Sequence, residues 1–418
     1  MTFLFRLYLL PCAVFLLASA YHGPDLPPGP YCGKNGRCCV DRQDGCHHEI
    51  LDTLCYCDEH CNRAHDDCCP DYEEVCLGIA QNITLGPCEL GATKTRLCHQ
   101  CVCELDDRGN VDWRCDEDAC VISDDVIYQV NRGRHGWRAA NYTDLAVRKL
   151  KDAIVYKLGT QPLSRETQRM YPIRYDKEIA YPSHFDSRRT WPEYITPVMD
   201  QGWCGSDWAV TIAAIASDRL AIQSNGAETI QLSPQTLLSC NKDEQRGCEG
   251  GHIDIAWNFV RGHGIVDIFC HPYTGTDSKC PFKRRGNLIT DGCVPFDPKR
   301  TSRYQVGPPG KLQKEKDIMY DIMESGPVHA IITVYQDFFH YREGIYRHTN
   351  YGDQQLQGLH SVRIVGWGEE RGEKYWIVAN SWGFDWGENG HFRIAKGTNE
   401  SGIESFVISV LSEVSGAY

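Results

Sequence analysis

Residues 198–212 bring together the residue types that could do chemistry in this chain and a local sequence that would present them. The first half is a glycine-rich turn that carries the Gln201 amide and the Cys204 sulfur. The second half opens at Asp207 and continues as an apolar run, Trp208 to Ala221, which predicts a helix with Asp207 as its cap. The dipole and the free N–H groups of a helix start hold a carboxylate ionised. Asp207 is therefore expected to be a stable anion and a poor nucleophile toward an amide.

This turn and helix resemble the segment with which papain-type thiol proteases present their nucleophile, although Asp207 occupies the place of the cysteine that opens the helix in that family. In such enzymes a thiolate attacks the amide carbonyl, and a histidine takes and returns the proton. The resemblance implies that Cys204 is bonded to Cys248, so that its sulfur cannot replace the nucleophile. Ser206 is adjacent, but its side chain is expected to point elsewhere because neighbouring positions do not share a direction.

The same resemblance assigns the remaining catalytic roles to three polar residues. Gln201 is the oxyanion donor, and His360 in Gly-Leu-His-Ser-Val is the base. Asn380 in Ala-Asn-Ser-Trp-Gly orients that base, and Trp382 shields the pair. With Asp207 in place of the nucleophile, the site is expected to be degenerate, with an ion pair between Asp207 and His360. The alternative is that these polar residues persist only because buried polar groups satisfy one another.

Four positions are expected to line the substrate cleft: Gly250, Gly251, Trp382 and Phe406. The two glycines belong to Gly-Cys-Glu-Gly-Gly, which resembles the wall that binds an extended substrate backbone. Phe406 falls where cathepsin B places an acidic residue in its second specificity pocket. The loop between Cys270 and Cys293 is shorter than the occluding loop of cathepsin B and lacks its pair of histidines, so exopeptidase trimming is not expected.

The predicted elements around these residues are helices first and strands later. Ser233 and Pro234 open a second helix, and residues 253–260 form a third. Strand-like runs follow at 328–334, 362–367, 375–379 and 392–395. This order predicts the α+β class. The resemblance to cathepsin B covers residues 181–418 and implies a papain-like two-lobed domain, with the substrate between a helical lobe and a β-barrel-like lobe.

Composition indicates a secreted, folded protein. Residues 1–20 have the pattern of a signal peptide, with Arg6 before an apolar core and a small-residue cleavage site. One of the 23 cysteines lies in that signal, and the even number left is consistent with full pairing in an oxidising compartment. The net charge of −13 argues against nucleic-acid binding. No later apolar stretch is long enough for a transmembrane segment.

Sixteen cysteines lie between Cys32 and Cys120, where two small disulfide-rich modules are predicted. Residues 31–78 resemble a somatomedin B domain, on Cys-x-Cys-x-x-x-Cys followed by Asp-Cys-Cys-Pro-Asp-Tyr. Residues 86–121 resemble a von Willebrand type C module. Zinc binding is the alternative for such paired cysteines, but thiolates are oxidised in secreted chains. Neither a metal nor a cofactor is therefore expected, and spacing leaves the connectivity of these disulfides open.

Residues 122–180 contain no cysteine and resemble the inhibitory prosegment of cathepsin B, at 127–131 and 136–142. In those enzymes the prosegment lies through the substrate cleft and is later removed. The alternative is a linker with one short helix near residues 145–158. Because an inactive protein has little reason to remove it, the segment is expected to stay attached and to cover part of the cleft.

Three triplets mark candidate glycosylation sites, at Asn82, Asn141 and Asn399.

A somatomedin B-like module ahead of a cathepsin B-like domain without the nucleophile resembles the tubulointerstitial nephritis antigen family. That resemblance implies a secreted, extracellular matrix-associated glycoprotein that binds laminin, collagen or integrins, with other cell-surface receptors and secreted signalling ligands as further candidates. The sequence therefore predicts a matricellular binding or adhesion protein and not an enzyme. Two alternatives stay open: a residual or altered peptidase that uses Asp207 or Ser206, and a protease regulator that occupies substrates or inhibitors without cleaving them.

Overall fold

Internal contacts divide the chain into two compact units, Met1–Asn82 and Ile83–Tyr418. The computed structural model describes residues 31–34, 38–40, 42–50, 53–61, 67–69, 71–76, 88–106, 109–175, 177–282 and 303–413. No helix in this part of the chain has both the length and the apolar character that a membrane span requires. The predicted signal peptide, the glycosylation triplet at Asn82, and much of the loop between Cys270 and Cys293 lie outside the described residues.

The first unit contains a small module that cross-links hold together. Its elements are a 3₁₀ helix, two antiparallel strands and a helix: Cys32–Lys34, His47–Ile50, Thr53–Tyr56 and Tyr72–Cys76. Five disulfides close it: Cys32–Cys57, Cys38–Cys76, Cys39–Cys46, Cys55–Cys69 and Cys61–Cys68. Most of its buried side chains are cysteines, so cross-links replace the apolar core that so short a chain cannot build.

The second unit opens with a three-stranded antiparallel sheet, here called the hairpin module (residues 88–120). Its strands are Thr93–Arg96, His99–Leu105 and Val111–Cys115. Two disulfides lie within the sheet, Cys88–Cys103 and Cys101–Cys115. A third, Cys98–Cys120, joins the tip of the first turn to the last residue of the module. The zinc alternative does not apply to these cysteines, because their sulfurs are already paired.

Residues 121–181, here called the cleft segment, run from the hairpin module to the helical lobe. The elements are four short helices and one strand: Asp124–Arg132, Trp137–Ala139, Thr143–Ala146, Leu150–Tyr156 and Arg165–Gln168. The strand adds to the edge of the large sheet by pairing with Tyr341–Tyr346. Ile127, Val130 and Leu150 are fully buried in the core of the β lobe, and burial of such a side chain stabilises by about 1.5–3 kcal/mol.

The single helix considered for residues 145–158 is two helices in the structure. The break lies at Val147–Lys149, because the backbone there bonds to residues 119–121, where the hairpin module meets the cleft segment, instead of continuing the helix. The Val121 amide donates to the Arg148 carbonyl at 2.9 Å, and the Leu150 amide donates to the Ala119 carbonyl at 2.8 Å. A tertiary contact thus overrides the local helical pattern.

The helical lobe is built on one long buried helix. Its elements are Ser187–Thr190, Asp207–Gln223, Pro234–Cys240, Ile253–His263 and the 3₁₀ turn Gly247–Glu249. The predicted start of the second helix is correct: Ser233 accepts a hydrogen bond from the Thr236 amide, and Pro234 is the first helical residue. The long helix packs against strand Gly358–Glu370 of the other lobe. This packing brings the start of the helix to the site residues on that strand.

The β lobe is a nine-stranded sheet flanked by helix Glu315–Ser325. Its central strands, Val328–Val334, Gly358–Glu370, Glu373–Ala379 and His391–Ala395, pair antiparallel in that order. The remaining elements of the lobe are Phe185–Asp186, Gly310–Leu312, Gln336–His340 (3₁₀), Tyr341–Tyr346, Glu400–Gly402 (3₁₀) and Val407–Ser409. Strands Gln305–Val306 and Ser412–Glu413 form a separate antiparallel pair that packs on the helical lobe. The predicted order, a helical half before a β half, is the order observed.

Candidate functional site

Asp207 lies at the centre of the site and is fully buried. Its Oδ1 accepts a hydrogen bond from the Gly159 amide at 2.7 Å. Its Oδ2 accepts from the Thr160 hydroxyl at 2.6 Å and from the Ser361 amide at 2.8 Å. A buried carboxylate with this many donors is compensated for the loss of water, and the donors come from both the cleft segment and the β lobe.

The prediction that Asp207 caps the long helix is wrong. Ser206 occupies the cap position without a side-chain hydrogen bond, and Asp207 is the first helical residue. The carboxylate turns away from the amides of its own helix because the Gly159 and Ser361 amides offer closer partners. The negative charge still lies at the positive end of the helix dipole, where it is favoured.

His360 bridges Asp207 and Asn380. Its Nδ1 lies 3.1 Å from Asp207 Oδ2, and its Nε2 lies 2.7 Å from Asn380 Oδ1. The Ser381 amide also donates to Asn380 Oδ1 at 2.8 Å, which fixes this oxygen toward the ring. Both ring nitrogens thus face oxygen acceptors, and an imidazole donates from both only as the imidazolium. The expected ion pair between Asp207 and His360 has the required geometry.

Trp382 covers this arrangement, with its ring centroid 5.0 Å from that of His360. Its indole N–H donates to the Lys157 carbonyl of the cleft segment at 3.4 Å. The Gln201 amide nitrogen donates to the Cys204 carbonyl at 2.9 Å and to the same Lys157 carbonyl at 3.3 Å. The group expected to stabilise an oxyanion is therefore already bonded to the chain's own backbone.

The segment passes between the two lobes as an extended chain at residues 159–161. Thr160 bridges in parallel to Gly251 and antiparallel to Leu359. The Gly251 amide donates to the Gly159 carbonyl at 2.8 Å, and the Gln161 amide donates to the Gly251 carbonyl at 2.9 Å. The glycine wall expected to bind a substrate backbone therefore binds residues 159–161 instead.

Glycines on both sides make this fit close. A Cβ on Gly159 would lie 1.8 Å from the Gly205 carbonyl oxygen, and a Cβ on Gly250 would lie 2.4 Å from the Gly159 oxygen. A Cβ on Gly205 would meet the Val155 carbonyl at 2.4 Å. Since the opposing atoms belong to backbone, they cannot move aside without shifting the fold. Cys204 is bonded to Cys248, which fixes the turn beside this contact.

Ser206 does not face the cleft segment as a nucleophile would. Its Oγ lies 2.6 Å from the Tyr273 hydroxyl, which in turn donates to the Gln201 carbonyl at 2.8 Å. Burial raises the pKa of Tyr273 to about 12, so this phenol stays protonated and is not a base for the serine.

Phe406 is buried in the core of the helical lobe, with the Lys311 ammonium 5.3 Å from its ring centre.

Two other sets of predicted residues have less to do with the cleft. Asn399 is exposed, and its side-chain amide donates to Ser405 Oγ at 2.9 Å, whereas Asn141 is half-buried. Among the described residues, two groups of three cysteine and histidine side chains are close enough to hold a metal: Cys32, Cys57 and Cys69, and Cys98, His99 and Cys120. Each of these cysteine sulfurs is in a disulfide, so none is available as a thiolate ligand.

Comparison with known proteins places this geometry in a family. The family model for papain family cysteine proteases matches residues 181–411. Tubulointerstitial nephritis antigen-like from Homo sapiens is 38% identical, over 98% of this chain and 97% of that protein. The chain belongs to the papain family and, within it, to the tubulointerstitial nephritis antigen family. Tubulointerstitial nephritis antigen from Homo sapiens is 37% identical, over 93% of this chain and 88% of that protein.

A solved structure supports the same assignment for the fold of this tubulointerstitial nephritis antigen family member. Procathepsin B S9 from Trypanosoma congolense superposes with a TM-score of 0.62 at 30% identity, over 71% of this chain and the whole of that one. The α+β, papain-like two-lobed fold behind small disulfide-rich modules is thereby confirmed. Ten disulfides among the described residues indicate an extracellular protein.

Sequence reasoning missed the residues that bind Asp207. Gly159 and Thr160 lie at the end of a short helix, and Ser361 contributes its backbone amide. A Gly-Thr pair after an apolar helical run is a visible turn signal. Nothing in its local sequence, however, points to a carboxylate 47 or 48 residues away.

Proposed function

We propose that this chain is a secreted, catalytically inactive papain-family glycoprotein that acts as a binding or adhesion protein of the extracellular matrix. The observation that carries the proposal is that the chain's own residues 157–161 lie against the predicted catalytic groups and form hydrogen bonds with them. Asp207 binds Gly159 and Thr160, and Gln201 and Trp382 bind the Lys157 carbonyl. A substrate would have to displace all of these contacts before it met a reactive atom.

Asp207 is itself poorly suited to attack an amide. A carboxylate is a weaker nucleophile than a thiolate, and hydrogen bonds to both oxygens lower its reactivity further. By the family resemblance, this residue stands where the papain-type enzymes have their cysteine. The remaining cysteine of the turn, Cys204, is in a disulfide.

Binding partners are proposed on the family resemblance. Laminin, collagen and integrins are the first candidates, followed by other cell-surface receptors and secreted signalling ligands. The cysteine-rich front of the chain supports this role, because modules stabilised by cross-links can present an exposed surface without an apolar core. In this account the papain-like domain is a scaffold, and the cleft segment stays attached to it.

A protease regulator is the second candidate, and an open groove favours it. This groove, of about 710 Å³, lies beside the cleft segment and is lined by both lobes, including Arg246, Glu249 and Tyr335. It leaves room for a peptide-like ligand although the catalytic groups are covered. A pull-down with secreted cysteine proteases and with their protein inhibitors separates this candidate from matrix binding.

The test of the main proposal combines activity with binding. The purified chain is assayed on Phe-Arg and dibasic fluorogenic peptides, intact and after cleavage at a site-specific protease sequence inserted at residues 177–181, beside an Asp207→Cys variant treated identically. We expect no turnover by the natural chain in either form, and turnover by the variant only after cleavage. We also expect saturable binding of the intact chain to immobilised laminin, collagen or an integrin ectodomain. Turnover by the natural chain would overturn the proposal, as would failure to bind all three.

A secreted form whose first residue lies near Tyr181 would contradict the retained segment. Intact mass measurement of the secreted protein decides this directly. The expected mass includes residues 121–180.

A further inference from the structure

The Cys98–Cys120 disulfide joins the sheet of the hairpin module to the residue at which the module meets the cleft segment. Cys98 lies in the two-residue turn between the first two strands of the hairpin module. Cys120 lies against the papain-like side: it forms a bridge with Lys149 of the cleft segment, and its carbonyl accepts a hydrogen bond from the Gln336 side chain at 2.9 Å. Breaking this disulfide would therefore leave one sulfur on the turn of the sheet and the other at the junction with the cleft segment.

A histidine and a carboxylate lie beside this disulfide in a line. His99 Nε2 is 3.3 Å from Cys120 Sγ, and His99 Nδ1 is 3.2 Å from Asp116 Oδ1. The Lys149 ammonium and the Gln100 amide also bind Asp116, and they hold its pKa well below the usual range. Asp116 is thus a fixed anion that orients the imidazole ring of His99.

We propose that Cys98–Cys120 is a thiol–disulfide exchange site in which His99 stabilises Cys120 as the leaving thiolate. An external small-molecule thiolate attacks Cys98 Sγ, and a sulfur–sulfur bond forms as the Cys98–Cys120 bond breaks. The electron pair of the broken bond goes to Cys120 Sγ, beside the His99 imidazolium. A second molecule of the thiol then attacks the mixed disulfide, so that two thiols are oxidised to one disulfide and the protein gains two cysteine thiols.

The physical basis is the effect of a neighbouring cation on a leaving thiol. An imidazolium next to a cysteine lowers the thiol pKa, and a thiol of lower pKa leaves faster in exchange. Cys98 and Cys120 are 4% and 8% exposed, so the geometry favours a small thiol over a bulky protein reductant. The same chemistry would not require the papain-like site, because none of its residues takes part.

Opening this disulfide would release the turn of the hairpin module at Cys98 from Cys120, the residue where the module meets the cleft segment. The module keeps its two internal disulfides, Cys88–Cys103 and Cys101–Cys115. The contacts that remain include the Lys149–Asp116 and Lys151–Asp118 ion pairs. They also include the backbone bond from Leu150 to Ala119 and the bond from the Gln336 side chain to the Cys120 carbonyl. The site would thus act as a redox-sensitive connection between the cysteine-rich front and the domain behind it.

The test uses the full chain with graded reduced glutathione, no denaturant, followed by alkylation and peptide mass mapping. We expect Cys98 and Cys120 to be alkylated before the four cysteines of the module's internal disulfides. In a His99→Gln variant we expect opening to be roughly tenfold slower, since loss of the cation raises the leaving-group pKa. His47→Gln is the control, because His47 is an exposed histidine of the first module whose Nδ1 bonds to the Asp44 carbonyl.

A pH series on the unaltered chain keeps the test independent of that variant's folding. Acidification lowers the attacking thiolate equally for every disulfide, so the ratio of Cys98–Cys120 opening to Cys88–Cys103 opening isolates the histidine. The charged groups facing His99 are Asp116 and Lys149, with the Lys151–Asp118 pair adjacent, and neither carboxylates nor lysines titrate between pH 8 and 6. We expect the ratio to rise as the pH falls from 8 to 6. A flat ratio, or alkylation of the internal cysteines first, overturns the proposal.

Discussion

The module at residues 31–76 and the cleft around residues 157–161 hold their backbones in place by different means. In the module, five disulfides replace an apolar core. The half-buried Asp71 accepts hydrogen bonds from the amides of Tyr31, Cys32 and Gly33, and the buried Asp58 accepts them from the amides of Gln43, His60 and Cys61. In the cleft, the buried Asp207 accepts hydrogen bonds from the amides of two separate chain segments. Closely fitted glycines allow the backbones to pack directly against each other. Both regions thus use a buried carboxylate to bind backbone N–H groups, but the module adds five covalent cross-links to these hydrogen bonds.

This difference determines which kind of change unfolds each region. A cross-linked module loses its structure when its covalent bonds are broken, because they restrict the unfolded chain. The cleft has no disulfide inside the segment that fills it, so its integrity depends on shape and on compensation of the Asp207 charge. Reduction should therefore unfold the module and leave the cleft intact. Single substitutions at Asp207 or at the fitted glycines should disturb the cleft and leave the module folded.

Excess reductant gives the largest expected effect. We expect residues 42–76 to lose amide protection entirely, since each of the five disulfides is worth roughly 2–5 kcal/mol and the module has little else to stabilise it. The long helix Asp207–Gln223 should stay protected under the same conditions without denaturant. Hydrogen exchange with mass spectrometry reports both regions in one sample, and equal loss of protection in both would break the comparison.

Replacement of Asp207 tests the buried charge. We expect Asp207→Ala to lower the free energy of unfolding of the papain-like domain by about 3–5 kcal/mol, because His360 and two backbone amides lose their partner in the interior. Asp207→Asn retains the shape and should cost less, about 1–3 kcal/mol.

The control for that pair is Asp385→Ala, at an exposed position, which should change the free energy by no more than about 0.5 kcal/mol. Urea unfolding followed by tryptophan fluorescence measures all three variants. An Asp207→Ala variant as stable as the natural chain would contradict the role given to this carboxylate.

The close fit of the cleft is tested by two glycine substitutions, one expected to lower the free energy of unfolding and the other to raise it. Gly159→Ala places a methyl group against the Gly205 backbone, and we expect a loss of roughly 3 kcal/mol together with displacement of the cleft segment. Gly262→Ala adds the same methyl group to helix Ile253–His263 where nothing lies within 4 Å, and it should stabilise by about 0.5–1 kcal/mol. Limited proteolysis should cut near residue 159 only in the first variant; equal protease resistance would show that the fit is not close.

Acidification should weaken the attachment of the cleft segment, and the lowered pKa of His340 gives the direction of this effect. Burial lowers the pKa of His340 to about 4 from an ordinary 6.5, and its Nε2 accepts a hydrogen bond from the Ser123 amide at 2.8 Å. The unfolded chain binds a proton between these values that the folded chain does not, so stability falls as the pH falls from about 6.5 to 4. The loss from this group is on the order of 3 kcal/mol at most.

Burial lowers the pKa of His391 to about 4 and that of His329 to about 3 as well, so the natural chain should lose more stability over this range than one group explains. A His340→Gln variant should show a shallower dependence on pH, because the contribution of His340 is gone. Unfolding curves at pH 7.5 and 4.5 measure the slope, and identical slopes would exclude His340.

Much of the fold follows from the sequence because its signals are local. Strand Val328–Val334 is rich in apolar and β-branched residues and has the predicted bounds. The long helix begins at Asp207 and ends at Gln223, two residues past its predicted apolar run. The prediction placed His360, Asn380, Gln201 and Asp207 in one site by resemblance. The structure joins the side chains of Asp207, His360 and Asn380 by hydrogen bonds, and Gln201 accepts one from Ser381, the residue after Asn380.

What the sequence could not show depends on contacts between distant residues. The direction in which Asp207 points is set by Gly159 and Ser361, neither of which is near it in the chain. The pairing of Cys98 with Cys120 is one of many that cysteine spacing allows. The break of the helix at Val147–Lys149 depends on hydrogen bonds to the hairpin module, which no local pattern contains.

Native-state hydrogen exchange at the Gly159 amide tests the central claim most directly. This N–H donates to a buried Asp207 oxygen at 2.7 Å, so the account predicts protection close to that of the long helix in the natural chain and a large loss of protection in Asp207→Ala. Exchange of the Gly159 amide at the rate of an exposed loop in the natural chain would contradict the claim that Asp207 holds the segment in the cleft.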